Sequence, residues 1–478
     1  MCRMPRTVRQ GLHWQTSRPC ILVPKEHHIM KVNKTQLTTG PIFKNLVLFS
    51  LPLVMINILQ TLFHTADTAV LGILAGDADV AAVGACGSLI SMLVCLVSGY
   101  SSAANVVISR RIGAEDKEGS RRATGDALVL GLLSGVLLML IVLVFSKQFL
   151  IMTNCQPEIL DKADTYMKIY FLGMPITMLY NFSASILRAS GDSVRPMVYM
   201  IISGIANVGL NFVFVGVFNM TVAGVAIATV LSNAIALSLA LIAILRDGEY
   251  CKVEKKNLRL RKQETLEIIG IGLPSCIGGL SFYFGETVVV SSVNSISVDA
   301  MTANAISAQL DRLNYTVGAS IASAIGVMIS QNFGALNFSR IKKTMNIGML
   351  YCTAISMLIG VLVVAFSDFL IGIFTDSEAI ISLTKGRLIL ICLTNFITCS
   401  MEVLLNAVRS LNRPKSVLVV GIVCGFLIRS IWAWFVWPIS KTLPFLFICF
   451  PLSTFVGCII YYFIYRSATK KEAEKLTI

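Results

Sequence analysis

The chain has 478 residues, of which 55% are hydrophobic and only 14% charged, with a formal net charge of +14; its mean hydropathy is +0.76. A soluble domain averages about 25% charged residues, so the composition excludes an ordinary water-soluble enzyme and indicates a polytopic membrane protein. A basic excess in a soluble protein would point to nucleic acid, but here the excess follows the loops, as shown below.

Residues 1–40 come first. They hold His13, His27 and His28 without ligand spacing, and they lack the charged, apolar and small-residue succession of a secretory signal. The segment is expected to be a disordered tail. Met30 opens MKVNKTQLTTGPIFKNL, which reads as a natural lead-in, so residues 1–29 are expected to be an over-extended start.

Apolar runs then recur, each long enough for about 30 Å of hydrocarbon. They predict twelve transmembrane helices near 43–74, 81–109, 123–146, 165–187, 196–218, 222–245, 265–296, 301–331, 344–366, 386–408, 415–437 and 444–465. With the N-terminus in the cytoplasm, the inner segments hold 32 of the 40 Lys and Arg. This positive-inside bias places both termini inside. Arg387 falls near an outer helix end, leaving Arg312 and Arg429 as the basic residues within spans. The expected organisation is a tail (1–40), an N-terminal six-helix lobe (41–245), a charged linker (246–264), a C-terminal six-helix lobe (265–466) and a tail (467–478).

Pieces of the first half return in the second, in order, at offsets of 218–222 residues. VISRRIGAED (107–116) matches MISQNFGALN (328–337). LRASGDSVRP (187–196) matches VRSLNRP (408–414), and FHTADTAV (63–70) matches FYFGETVV (282–289), which lays Asp67 over Glu286. Repeats with an even number of helices have the same orientation, a recurring transporter architecture in which one bundle rocks against the other.

Ionisable groups inside spans are functional candidates by default. In the first helix Asn57, Gln60, His64 and Asp67 are spaced 3, 4 and 3 and so share one face. Pro52 offers a hinge beside them. In the fifth helix Asn207 and Asn211 are four apart, and the sixth supplies Thr229 among small residues. A carboxylate with amide and hydroxyl oxygens suits a hard cation such as Na⁺; a proton on Asp67 is the equal alternative, and a structural hydrogen-bond network is a third reading. In the second half, Glu286 shares a face with Tyr283, Asp311 lies in span eight, Glu402 in span ten, and Arg429 falls opposite Asn211. Acids facing a cavity would draw cationic organic substrates, with Arg429 as the single compensating charge; a structural Arg429–Glu402 pair is the alternative.

Thirteen scattered cysteines without a CxxC pair read as packing residues. No GxxxxGK[ST], HExxH or GxSxG occurs, so no enzymatic chemistry and no cofactor is expected, and uphill movement would need an ion gradient.

Taken together, LPLVMINILQTLFHTADTAVLG, SRRIGAEDKEGSRR, LRASGDSVRP, NVGLNFVFV with GVAIAT, GLPSCIGG and ISQNFGALNFSR resemble a bacterial member of the multidrug and toxic compound extrusion (MATE) family over roughly residues 40–466. The resemblance implies an all-α fold of two V-shaped six-helix bundles and antiport of Na⁺ or H⁺ against organic cations. It implies that Asp67 binds the coupling ion with Asn207 and Thr229, while Asn211 stands where some relatives carry an aspartate. It also implies acidic roles near Glu286 and Glu402. The expected protein is a monomeric multidrug efflux antiporter of the bacterial inner membrane, binding neither nucleic acid nor a resident cofactor. A lipid-linked oligosaccharide flippase of the same superfamily is the alternative, and a scaffold or channel a further one.

Overall fold

The computed structural model describes residues 37–153, 155–246 and 250–474. The predicted tail up to residue 36, with its three histidines and Met30, lies outside the described residues, as do 475–478. Among the described residues there is no strand. The N-terminal half comprises α1 (Ile42–Leu74), α2 (Asp77–Gly113), α3 (Lys117–Met152), α4 (Pro157–Leu172), α5 (Met174–Ala189), α6 (Val194–Asn211) and α7 (Thr221–Leu245). The second half comprises α8 (Lys262–Asn294), α9 (Val298–Gly334), α10 (Phe338–Ala365), the short α11 (Ser367–Gly372), α12 (Glu378–Ser410), α13 (Pro414–Val420), α14 (Ile428–Ile431), α15 (Leu443–Phe447) and α16 (Cys449–Glu474). Among the described residues, eleven helical stretches are long and apolar enough to cross a bilayer singly, and the α4–α5 pair makes a twelfth. The fold is an all-α polytopic membrane protein of two pseudo-symmetric bundles.

Three predicted elements differ in form. The span expected at 165–187 is two helices bent by 48°, because Pro175 follows Gly173 and lacks the N–H that would continue the ladder. Spans five and eleven are not uniform: α6 widens into a π-helical stretch at Phe212–Val217, and α13 and α14 are separated and followed by π-helical stretches at Gly421–Leu427 and Trp432–Val436. Residues 37–40, assigned to a disordered tail, are held. The Arg340 guanidinium donates to the Gly40 and Thr39 carbonyls at 2.9 and 2.8 Å, and Leu37 is buried. Pro52 sits within α1, which runs through it unbroken.

The repeat is visible in detail at one end of the bundle, where the 246–264 linker lies. Asp116 and Asn337 cap α3 and α10 by accepting from the Gly119 and Arg340 amides, the local economy that Asp and Asn provide at a helix start. The residues before each cap, Glu115 and Leu336, both take left-handed backbone, φ 56° and 54°. The lobes meet along α2 with α8 and along α1 and α2 with α9. At the linker end α2 and α9 cross so closely that a Cβ on Gly113 would lie 1.8 Å from the Gln331 carbonyl oxygen, and one on Gly334 1.9 Å from that of Arg110. Two reciprocal bonds fasten this crossing: Arg110 donates from Nε to the Ser410 carbonyl (3.1 Å) and Gln331 from Nε2 to the Ala189 carbonyl (2.7 Å). The linker itself is tied to α3 by Asp126, which accepts from the Arg261 amide and guanidinium at 2.7 and 3.0 Å.

Candidate functional site

The N-terminal lobe gathers Asp67 of α1, Asn207 and Asn211 of α6 and Thr229 of α7 around one carboxylate. Asp67 is 7% exposed and Asn211 fully buried. Asn211 donates from Nδ2 to Asp67 Oδ1 at 2.5 Å, and Asn207 and Thr229 turn toward the same carboxylate. Tyr166 and Tyr170 of α4 stand within reach of its charge. Among the described residues no Lys, Arg or His makes an ion pair with Asp67. The Oδ1 atoms of both Asn207 and Asn211 are buried without a hydrogen-bond donor. Orphaned buried acceptors are rare in proteins, and here two of them adjoin a buried carboxylate. An oxygen-only set of this kind suits a small hard cation and not a transition metal.

Sequence spacing put Asn57, Gln60 and His64 on the same face as Asp67, but the structure divides that face. Asn57 reaches across to the second lobe and donates to Ser320 Oγ at 2.7 Å. Gln60 is half-buried, and His64 is exposed within reach of the Arg312 charge on α9. The stripe is therefore two contacts, one inside the lobe and one between lobes, with Ser320 as a partner that the sequence pattern did not indicate.

In the C-terminal lobe the expected acids are mostly neutralised. Arg429 pairs with Glu286 at 3.4 Å, and not with Glu402. It also donates to Ser453 Oγ at 3.3 Å and lies over the rings of Phe282 and Phe450. Glu286 keeps 44% of its side chain exposed. Asp311 pairs with Arg387 at 2.8 Å, and Arg387 also donates to Ser307 at 2.7 Å. Arg387, read from sequence as a charge at an outer helix end, is thus a buried partner, so the lobe has two compensating arginines and not one. Its position at the edge of an apolar run concealed it. Glu402 accepts from the Tyr315 hydroxyl at 3.2 Å. Tyr283 is exposed beside these groups.

The polar centres of both lobes share a backbone feature. Asn211 directly precedes the π-helical stretch of α6, and Arg429 lies between the two π-helical stretches of its span. A π-turn displaces the helix register locally and occurs often at functional sites.

Two repeated helical lobes, each built round a buried polar centre, define an integral membrane protein of the transporter type. The family model described as MatE matches residues 52–213 and again 274–435, and the chain belongs to that family. It is 26% identical over 372 residues to the "Probable multidrug resistance protein YoeA" of Bacillus subtilis, covering 76% of this chain and 80% of that one. It is 24% identical over 349 residues to the "Multidrug export protein MepA" of Staphylococcus aureus, covering 72% and 76%. A solved structure described as MATE in the bent conformation superposes with TM-score 0.85 at 20% identity, covering 93% of this chain and 99% of that one.

Proposed function

We propose that the protein is a secondary-active antiporter that exports organic cations or amphipathic drugs in exchange for Na⁺. The observation that carries this reading is Asp67: a buried carboxylate without a cationic partner, next to two buried amide oxygens that lack donors. An isolated charge in that setting is costly unless something neutralises it. A cation from solution does so, and Asp67, Asn207, Asn211 and Thr229 are the residues that would hold it. Binding removes the charge and gives the orphan oxygens a partner; release restores the cost, so occupancy biases α1 between two packings, with Pro52 as the point where it bends. A proton on Asp67 would neutralise the charge but give a donor to only one acceptor.

The half-exposed Glu286 and the exposed Tyr283 supply a polar face for substrate, with Glu402 behind it. Lipid-linked oligosaccharide transport is disfavoured, because Glu286 and Asp311 neutralise Arg429 and Arg387, the two buried arginines beside the polar face of that lobe. We place the linker end in the cytoplasm of a bacterial inner membrane, since the Lys and Arg concentrate in the loops there, and take the activity as transport by a monomer, without bond chemistry.

The test uses proteoliposomes loaded with a fluorescent organic cation, under a Na⁺ gradient or a pH gradient, comparing wild type with Asp67→Asn. Sodium-driven movement lost in the variant supports the reading. Movement driven by the pH gradient alone replaces Na⁺ with a proton. Wild-type rates in Asp67→Asn refute the site.

A further inference from the structure

Beside the reciprocal crossing at the linker end lies a cavity of about 40 Å³ on the axis between the lobes. Its lining is itself doubled by the repeat: Ser102 faces Ser323, Ser185 faces Asn406, and Arg188 of α5 faces Arg409 of α12, each pair separated by the same 221-residue offset. Two arginines from different lobes therefore line one small, partly open cavity. Among the described residues neither makes an ion pair. Arg188 donates from Nη2 to Ser185 Oγ at 2.8 Å. Arg409 makes only a long contact from Nη1 to Asn406 Oδ1 at 3.5 Å, and its Nε is buried without an acceptor. The groups that face them are few: Tyr180 toward Arg188, and Glu402, Tyr461 and Cys276 toward Arg409. Glu402 is the one acid among these, and it is already bonded to Tyr315.

An orphan buried guanidinium N–H carries a desolvation penalty, and a guanidinium with no carboxylate in hydrogen-bond contact is a strong donor to an anion. Among the described residues neither guanidinium has a carboxylate within hydrogen-bond distance. A cavity needs roughly 10–15 Å³ to admit a water, so 40 Å³ has room for a few waters or one compact anion.

We propose that this cavity is a binding site for a compact inorganic anion of the chloride or phosphate class, held between Arg188 and Arg409. The anion accepts from Arg409 Nε and joins the two lobes. The carbonyls of Ala189 and Ser410, which close the crossing, belong to the residues following these arginines. An anion seated here therefore favours the arrangement closed at the linker end and leaves when the lobes part, a ligand with different affinities for two conformations. The site is too small for a drug or a lipid-linked sugar and is separate from Asp67.

The experiment uses the purified full-length protein and no transport readout, so its outcome is independent of whether the antiport reading stands. Thermal unfolding is followed while chloride, or in a second arm inorganic phosphate, replaces gluconate at constant ionic strength and pH. A saturable rise in Tm with either anion supports the site, and the anion that saturates names its source. Arg409→Gln and Arg188→Gln should each raise the half-saturating concentration at least about tenfold, with Arg409→Lys intermediate. A Tm that follows ionic strength alone, or the same saturable rise in both glutamine variants, overturns the proposal. Because those variants can fold poorly, wild-type crystals grown in bromide or in phosphate give the second measurement: a bromide anomalous peak or phosphate density between Arg188 and Arg409 supports the site, and the absence of both there overturns it.

Discussion

The two lobes place an acid and a partner at equivalent positions and give them opposite electrostatics. In the first, Asp67 meets the neutral amide of Asn211 at 2.5 Å; in the second, Glu286 meets the Arg429 guanidinium at 3.4 Å. The backbone frame is shared, down to the π-helical turns that flank Asn211 and Arg429. The N-terminal centre thus holds a carboxylate with no cationic side chain paired to it among the described residues, while the Glu286–Arg429 pair of the C-terminal centre is neutral by itself. Duplication supplied the geometry twice, and a few side-chain differences left one copy with an unpaired carboxylate, the proposed ion site, and the other with a half-exposed ion pair. The comparison also accounts for the location of the electrostatic cost: Asp67 is 7% exposed, whereas Glu286 retains 44% of its side chain in contact with its surroundings.

Five substitutions test that contrast, in order of expected effect. Asp67→Asn removes the only charge of the N-terminal centre. Hydrogen bonds and contacts to a charged group are worth about 1.5–3 kcal/mol, so sodium affinity should fall by up to about a hundredfold, read as the sodium dependence of Tm or of transport. An unchanged sodium response would break the contrast at its root. Asn211→Asp adds a second carboxylate beside the first and makes the lobes more unlike. Two carboxylates in contact require a cation or proton between them, so the half-saturating sodium concentration should drop about tenfold, and a rise would contradict the assignment of Asn211 to the ion site.

On the other side, Glu286→Gln and Arg429→Gln each break the self-neutralised pair. Because Glu286 is partly exposed, each should destabilise by about 1–2 kcal/mol, less than a fully buried pair would cost. A double-mutant cycle in thermal unfolding should show a coupling of about 1 kcal/mol. No coupling would mean that Arg429 is held by Ser453 and the Phe282 and Phe450 rings alone. The smallest effect belongs to the contact between lobes. Ser320→Ala removes the acceptor of Asn57 and should cost about 1 kcal/mol in the conformation where they meet, leaving sodium affinity within about twofold; a larger loss of affinity would tie Asn57 to the ion site after all.

Much of this was legible in the amino-acid order. Long apolar runs dictate helices because an unpaired backbone is intolerable in hydrocarbon, and the basic loops set their alternation. The internal matches gave the two lobes, and the four-residue spacing of Asn207 and Asn211 placed both on the face that meets Asp67. Helical periodicity reports which residues share a face, and it cannot report what that face meets. Asn57, Gln60, His64 and Asp67 formed one stripe by spacing, yet Asn57 faces Ser320 of the other lobe while Asp67 turns inward.

Pairing was decided by tertiary structure alone. Arg387 stood at the edge of a span and found Asp311 some 76 residues away; Arg429 had the nearer Glu402 as its candidate acid by sequence, and packing chose Glu286, 143 residues away. The bend at Gly173 and the π-turns arise where proline and close helix contacts interrupt a regular ladder, which hydrophobicity averages over. Composition and repetition thus determined the membrane, the helices and the symmetry, since these follow from local solvation. Which charges are cancelled and which left open depended on contacts between helices far apart in the chain, and on that difference the proposed activity rests.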